Sequence, residues 1–233
     1  MESRPIVKVW PAENGGGHGS CMHSETSSGE FLHRPSTPCQ AGFVLTHGAG
    51  GNANSALLVA LARVLQDAGF HVLRHNLSFR QQRPFGPPRP GDAEHDRAGL
   101  KEAVETMRKR APGRVFLGGQ SYGGRQASML CAEQPQVADG LLLLSYPLHP
   151  PGKPEQVRTQ HLPKLKVPVL FVQGTRDPFG SIAEMEAALK LVPSRVSLFP
   201  VEGTGHDLGF KGKRRPEGLP AKIVAEFQKL VNQ

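Results

Sequence analysis

From residue 42 onward, short apolar runs alternate along the chain with longer stretches that carry helix signals. The apolar runs cover residues 42–46, 70–74, 115–119, 140–145, 167–172 and 195–199, and the predicted helices cover 55–67, 92–110, 125–133, 181–191 and 222–231. Strands separated by helices of this length predict βαβ units and therefore a mostly parallel sheet. Because such crossovers are right-handed, we expect helices on both faces of the sheet. The predicted fold class is α/β.

The chain length of 233 residues suits one domain of this kind. We place that domain at residues 41–233 and treat residues 1–40 as an N-terminal segment that is partly irregular. This segment contains one predicted strand at 6–10, followed by a polar stretch at 13–30 that is rich in glycine, serine and histidine. Loops are predicted at 76–91, which is rich in arginine and proline, and at 147–163, which is rich in proline.

The cysteine content and the length of the apolar runs indicate in which cellular compartment the protein functions. The chain has 3 cysteines, an odd number that is too small for a disulfide framework and indicates free thiols in a reducing environment. The N-terminus lacks the long apolar run of a secretory signal, and no apolar run approaches the roughly 18 residues of a membrane span. The sequence therefore predicts a cytoplasmic protein without membrane association.

The formal net charge of +8 raises the question of an anionic partner. The basic residues are scattered, and their densest cluster, at 211–215, lacks any helix-turn-helix, RNP or zinc-finger pattern beside it. We interpret the cluster as a solvated loop and expect no nucleic-acid partner. His18, Cys21 and His23 lie close together, but their spacing fits no closed zinc site with four ligands, so no metal is expected.

The sequence Gly-Gln-Ser-Tyr-Gly at 119–123 has the G-x-S-x-G pattern between a predicted strand and a predicted helix. In that context the serine occupies a tight, strained turn and projects over the edge of the sheet at a helix N-terminus. Ser121 is therefore the candidate nucleophile. The alternative is a glycine-rich turn with an incidental serine. A phosphate-binding loop is disfavoured, since no Gly-Lys-Ser/Thr ending is present.

A serine nucleophile needs a base, and the base needs an acid that orients it. Asp177 follows a predicted buried strand, and His206 lies in a glycine-rich loop after the last strand. Both therefore fall at the carboxyl edge of the sheet, and the order Ser, Asp, His is the one that G-x-S-x-G hydrolases use. Asp177 alone could be a turn residue or an N-cap, and His206 alone could be one of the 10 histidines in a surface or structural role. Asp207 could compete as the acid, but its adjacency to His206 makes it a poor geometric partner.

The glycine-rich sequence at 47–51 follows the first strong strand, where a backbone N–H can contribute to an oxyanion hole. We predict the backbone N–H groups of Ala49 and Tyr122 as the two donors, with Gly50 as an alternative to Ala49. We expect His47 to be structural. Taken alone, this motif could also be a plain turn.

The sequences HGAGG, GGQSYGG, QGTRDPFG and GTGHDL resemble the α/β-hydrolase superfamily, and in particular its dienelactone-hydrolase-like branch. Within that branch the chain is similar to small predicted hydrolases related to a testis-expressed protein and to a chromatin-complex subunit. The resemblance covers about residues 42–233 and implies an α/β-hydrolase fold and hydrolysis through an acyl-enzyme without a metal or cofactor. Dienelactone hydrolases proper use a cysteine nucleophile at the position of Ser121. This difference argues against dienelactone as the substrate of this chain.

The expected substrate is a small acyl compound, cleaved in an esterase-like or lactonase-like reaction. The loop at 147–163 is too short for a large cap domain, which predicts an open site flanked by the loops at 76–91 and 147–163. Arg80, Arg83 and Arg125 are candidates for binding a substrate carboxylate, and the alternative for at least two of them is a solvated surface position. Gly50 is a further candidate for substrate binding. Other functions left open are a peptidase or thioesterase with the same triad and a non-catalytic interaction protein on the same scaffold.

Overall fold

A single sheet forms the centre of the molecule in this computed structural model, which describes residues 23–25, 31–36, 41–212 and 216–233. The strands are β1 (His23–Glu25), β2 (Phe31–His33), β3 (Ala41–Thr46), β4 (Phe70–His75), β5 (Arg114–Gln120), β6 (Leu141–Leu144), β7 (Val169–Gly174) and β8 (Val196–Val201). The helices are α1 (Ala56–Asp67), α2 (Ser78–Gln82), α3 (Asp92–Arg110), α4 (Tyr122–Glu133), α5 (Ile182–Leu189) and α6 (Leu219–Val231).

The strands lie in the order β1-β2-β4-β3-β5-β6-β7-β8. From β4 to β8 all neighbours are parallel, whereas β1 and β2 pair antiparallel at one edge. The predicted mostly parallel sheet is confirmed. Because the order reverses between β3 and β5, the carboxyl ends of these central strands border a crevice in which open α/β sheets bind ligands.

Helices cover both faces of the sheet, as predicted. One core lies under α3, α4 and α5, and the other lies under α1 and α6. In the second core, the ring of Phe227 on α6 packs 5.3 Å from Phe43 and 5.2 Å from Phe116, centroid to centroid. The central strands β3, β5, β6 and β7 are buried along almost their whole length, which explains why they read as continuous apolar runs.

The N-terminal part adds strands that the sequence analysis does not predict. β1 and β2 extend the sheet through the antiparallel pairing of β2 with β4. Each has three residues, too few to show the alternation by which a strand is recognised. The predicted strand at 6–10, together with His18, Cys21 and the side chain of His23, lies outside the described residues.

Two loop predictions have different outcomes. The predicted loop at 76–91 contains the short helix α2, whose Phe79 side chain is buried and whose Phe79 N–H donates to Asp96 Oδ1 at 3.0 Å. The sequence missed this helix because its five residues lie among arginines and prolines. The segment 147–163 carries only a 3₁₀ turn at its end, Leu162–Lys164, so the prediction of no large cap domain is confirmed.

Among the residues that the structure describes, no helix is long and apolar enough to cross a membrane. Cys131, on α4, is buried, and burial raises the pKa of its thiol to about 12. The thiol is therefore protonated at neutral pH and packs as a small apolar group.

Candidate active site

Ser121 occupies a sharp turn between β5 and α4. Its backbone has φ 50° and ψ −119°, a region that side-chain-bearing residues rarely adopt. Two hydrogen bonds hold this conformation: Ser121 N–H donates to the Leu144 carbonyl at 2.8 Å, and the Ser121 carbonyl accepts from Arg125 N–H at 2.9 Å. The helix begins at Tyr122, three residues before the predicted start, so Ser121 stands at the helix N-terminus itself.

Glycines allow strand and helix to approach this closely. A Cβ built on Gly119 would lie 2.6 Å from the backbone nitrogen of Gly124, and one on Gly123 would overlap the carbonyl oxygen of His47. In both cases the obstacle is backbone, which cannot move aside as a flexible side chain can. The tight turn therefore requires glycine on each side of the serine.

The structure brings Asp177 and His206 together with Ser121. His206 Nε2 lies 2.7 Å from Ser121 Oγ, and His206 Nδ1 lies 2.8 Å and 3.0 Å from the two carboxylate oxygens of Asp177. A carboxylate only accepts hydrogen bonds, so Nδ1 carries the proton and Nε2 is free to accept the serine proton. This arrangement can generate a serine nucleophile.

Asp177 is fixed from a second side. Its side chain is completely buried, and its Oδ1 accepts a hydrogen bond from the Phe179 backbone N–H at 2.9 Å. Asp207 instead accepts from the N–H groups of Gly209 and Lys211, at 3.1 Å and 2.8 Å, and so closes its own turn. The structure thus places Asp177, and not Asp207, on the imidazole.

The loop after β3 lies next to the serine and lines the same cavity, which is described below. The Gly48 carbonyl accepts from His47 Nδ1 at 2.8 Å and from Gly51 N–H at 3.0 Å. The Gly48 carbonyl and the Ala49 N–H belong to the same trans peptide and therefore point in opposite directions. With the carbonyl held by these two donors, the Ala49 N–H points away from them. A Cβ built on Gly48 would lie 3.3 Å from Ser121 Cβ, so this peptide borders the nucleophile.

His47 is a structural residue, as predicted. It is fully buried, and its Nε2 accepts from the Leu77 N–H at 3.1 Å while its Nδ1 donates to Gly48. Burial lowers the pKa of His47 to about 4, so the ring is neutral at pH 7. The neutral tautomer with a proton on Nδ1 satisfies both bonds, and it connects the loop after β3 to the loop after β4.

Arg80 has a different role from the one predicted. Its guanidinium donates to four backbone carbonyls, at 2.9 Å to Gly51, 3.0 Å to Ala49, 3.2 Å to Arg83 and 2.9 Å to Gly86. Its side chain is buried and does not line the cavity described below. We therefore correct the prediction of substrate binding for Arg80. The sequence could not show that its donors are already occupied by the protein.

Tyr122 does not line the cavity described below. Its hydroxyl donates to Asp96 Oδ2 at 2.8 Å, and its ring packs edge-on against Phe79. Within the described ranges, the N–H groups of Ala49, Gly50 and Tyr122 have no hydrogen-bond acceptor. These are the donors that the sequence predicts for the oxyanion hole, and their role there is a proposal.

A cavity of about 300 Å³ opens beside Ser121. Its lining combines backbone of the loop after β3, the start of α1 and two aromatic side chains: Gly48, Ala49, Gly50, Gly51, Ser55, Ala56, Leu57, Gln120, Ser121, Phe179, His206, Asp207, Phe210 and Lys211. Sequence reasoning missed Phe179 and Phe210. Their only signal was position, since they lie two residues after Asp177 and four after His206.

Phe179 stacks on the imidazole of His206, with ring centroids 4.1 Å apart and an interplanar angle of 28°. We expect Phe179→Ala to lower kcat/KM for an ester roughly tenfold, since an aromatic pair contributes about 0.5–1.5 kcal/mol beyond its buried area. Steady-state kinetics measures this. Phe179→Tyr retains the ring and is expected to retain the rate. Full activity in Phe179→Leu would show that only an apolar wall is needed.

The other candidate residues lie elsewhere. Arg83 forms an ion pair with Asp92 at 2.5 Å, and Arg125 does not line the cavity. In the described part of the chain, no group of three or more His, Cys, Asp or Glu side chains could hold a metal ion. The predicted basic cluster is described only in part, since residues 213–215 lie outside the described residues.

Comparisons with known proteins agree with this architecture. A family model described as an alpha/beta hydrolase domain matches residues 39–231. Among solved structures, the chain is similar to a dienelactone hydrolase from Anabaena variabilis, with 21% identity, a TM-score of 0.66 and coverage of 91% of this chain and 95% of that one. It is also similar to Est1E from Butyrivibrio proteoclasticus, with 14% identity, a TM-score of 0.65 and coverage of 92% and 100%. A serine hydrolase without a lid from Xanthomonas campestris matches with 16% identity, a TM-score of 0.63 and coverage of 94% and 97%.

Proposed function

Because this chain belongs to the alpha/beta hydrolase family and its fold is similar to that of a dienelactone hydrolase, we propose that it is a serine hydrolase that cleaves carboxylic ester bonds through an acyl-enzyme. The observation that carries the proposal is the hydrogen-bonded series from Ser121 Oγ through His206 to the buried carboxylate of Asp177. No metal or cofactor is needed for this reaction, because serine, base and oxyanion donors suffice.

In the first step, His206 Nε2 takes the proton of Ser121 as Oγ attacks the ester carbonyl. Asp177 holds the Nδ1–H and stabilises the imidazolium that forms. The oxyanion develops beside the N–H groups of Ala49 and Tyr122, with Gly50 next to them. The N-terminus of α4 adds its partial positive charge at the same point. His206 then protonates the departing alcohol, and the acyl group stays on Ser121.

In the second step, His206 takes a proton from the water that attacks the acyl carbonyl. The bond between the acyl carbon and Ser121 Oγ then breaks, His206 returns the proton to Oγ, and the carboxylic acid leaves. The cavity beside Ser121 suits the substrate class, because Leu57, Phe179 and Phe210 provide apolar walls around an acyl group. A volume of about 300 Å³ fits a small acyl or aryl-acyl group better than a long fatty chain. We propose small-molecule esters or lactones as substrates.

A fluorophosphonate probe tests the proposal directly, since it reacts with a serine only when a neighbouring base activates it. We expect a single adduct on Ser121 of the wild-type protein, located by intact and peptide mass spectrometry. His206→Ala serves as the control, since it keeps the serine and removes the base. It is expected to suppress labelling. Absence of labelling on folded wild-type protein would favour a non-catalytic scaffold.

A further inference from the structure

Two arginines, Arg125 and Arg158, have no acidic partner within ion-pair distance among the residues that the structure describes. Arg125 lies one helical turn after Ser121, and its backbone N–H donates to the Ser121 carbonyl at 2.9 Å. Arg125 therefore belongs to the first turn of α4, the helix that begins directly after the proposed nucleophile.

Arg158 comes from the segment 147–163 and is held firmly there. Its N–H donates to the Leu148 carbonyl at 2.8 Å, and its carbonyl accepts from the Tyr146 hydroxyl at 3.0 Å. Its guanidinium Nη1 donates to the Pro147 carbonyl at 3.3 Å. Its other guanidinium donors have no acceptor in the described part of the chain. The backbone of Arg158 is thus positioned before any ligand arrives.

Ser128 and His161 connect the two arginines into one cluster. Ser128 Oγ lies 2.8 Å from the Arg125 carbonyl oxygen and 2.8 Å from His161 Nε2, which is also 3.4 Å from the Tyr146 hydroxyl. Burial and the nearby charge of Arg125 lower the pKa of His161 to about 4, so the imidazole is neutral at pH 7. Burial and the same charge also lower the pKa of Arg158.

The cluster therefore combines two positive charges with a buried donor that has no partner. Arg125 Nε is buried and makes no hydrogen bond. An unpaired buried donor on a charged group is unfavourable, and so are two like charges that lie close together. A ligand with anionic oxygens would relieve both conditions, because guanidinium groups bind carboxylate and phosphate through paired N–H donors.

We propose that Arg125 and Arg158 form a site for an anionic oxygen group, a carboxylate or a phosphate, that the substrate carries. The proposal rests on the proposed function, since it assigns this site to an ester that reacts at Ser121. Neither arginine lines the cavity. In this proposal the acyl carbonyl and the apolar part of the substrate next to it occupy the cavity. The anionic end of the same substrate lies against the segment 147–163.

Matched substrates test this site. 4-Nitrophenyl hydrogen glutarate and its uncharged isostere 4-nitrophenyl 4-carbamoylbutanoate differ by one charge on the acyl side. 3-Acetoxybenzoate and 3-acetoxybenzamide differ by one charge on the leaving-group side. We expect wild type to favour the anionic member of at least one pair. Arg125→Gln and Arg158→Gln should each lower the anionic-to-neutral ratio of kcat/KM about tenfold.

Arg195→Gln is the matched control, because it removes the same charge from an exposed residue just before β8. Arg195 lies at the amino end of that strand, whereas Ser121 follows the carboxyl end of β5. It is expected to keep the ratio. Calorimetric binding of inorganic phosphate to the Ser121→Ala protein provides an arm that needs no turnover, and substitution of either arginine should abolish that binding.

The outcomes separate the two proposals. Ester hydrolysis with ratios near one, and phosphate binding that is absent or insensitive to both arginines, would overturn the anion site and leave the hydrolase function standing. Phosphate binding that is lost in the arginine variants, in a protein that hydrolyses no ester, would support the anion site and reject the proposed function.

Discussion

Replacing Ser121 by alanine is expected to lower kcat for ester hydrolysis on the order of 100,000-fold. The hydroxyl that His206 deprotonates, 2.7 Å from Nε2, is removed, so no acyl-enzyme can form. What remains is the contribution of substrate binding and of the oxyanion donors, which are backbone groups that the substitution leaves in place. Initial rates with a nitrophenyl ester at saturating substrate measure the loss.

The fold should survive this change. Alanine meets the same backbone restriction as serine at φ 50°, and the Ser121 N–H keeps its bond to Leu144. The melting temperature is therefore expected to stay close to that of wild type, as measured by circular dichroism. Ser197→Ala, on β8, is the matched control and should keep its activity. Turnover that persisted in folded Ser121→Ala protein would exclude the proposed mechanism.

Replacing Asp177 by asparagine is expected to lower kcat on the order of 10,000-fold. Oδ1 of Asp177 accepts from the Phe179 N–H at 2.9 Å, and an asparagine carbonyl oxygen keeps that bond only by turning its NH₂ group toward His206. The NH₂ group cannot accept from Nδ1–H. The imidazole then moves its proton to Nε2 and presents a donor to Ser121 in place of an acceptor.

The same variant distinguishes a role of Asp177 in activating the serine from a role in binding the ester. If Asp177 acts as proposed, fluorophosphonate labelling of Ser121 should fall in parallel with kcat, while KM for the ester changes little because Asp177 does not line the cavity. Asp207→Asn is the comparison variant, since Asp207 lines the cavity but its carboxylate accepts from the Gly209 and Lys211 N–H groups and not from the imidazole. Equal losses in both variants would assign the effect to loop structure and contradict the proposed role of Asp177.

The sequence predicted the sheet, its helices and the meeting of Ser121, Asp177 and His206 for one physical reason. Each of these residues follows a buried strand, and parallel strands end at the same edge, so position along the chain translates into position in space. Boundaries were less accurate. α4 begins three residues earlier than predicted, because nothing in Tyr122-Gly123-Gly124 indicates a helix locally. Tertiary packing of these glycines decides it.

Residues whose role depends on the direction of a side chain could not be predicted. Arg80 lies on α2 and Arg125 lies on α4. The guanidinium of Arg80 donates to four carbonyls, whereas Nε of Arg125 is buried and makes no hydrogen bond. Composition cannot distinguish these cases. The stacking of Phe179 on His206 was equally invisible, since it depends on how two separate loops meet.

The anchoring of the loop at 48–51 by Arg80 and His47 has a thermodynamic consequence. Ordering a backbone residue costs about 1–2 kcal/mol of conformational entropy, so a mobile oxyanion loop would add several such costs to the activation barrier. Here the carbonyls of Gly48, Ala49 and Gly51 are already held by protein donors. The loss of loop entropy belongs to folding and is not repeated in each turnover, so in the proposed mechanism the N–H groups of this loop stabilise the developing charge without reorganisation.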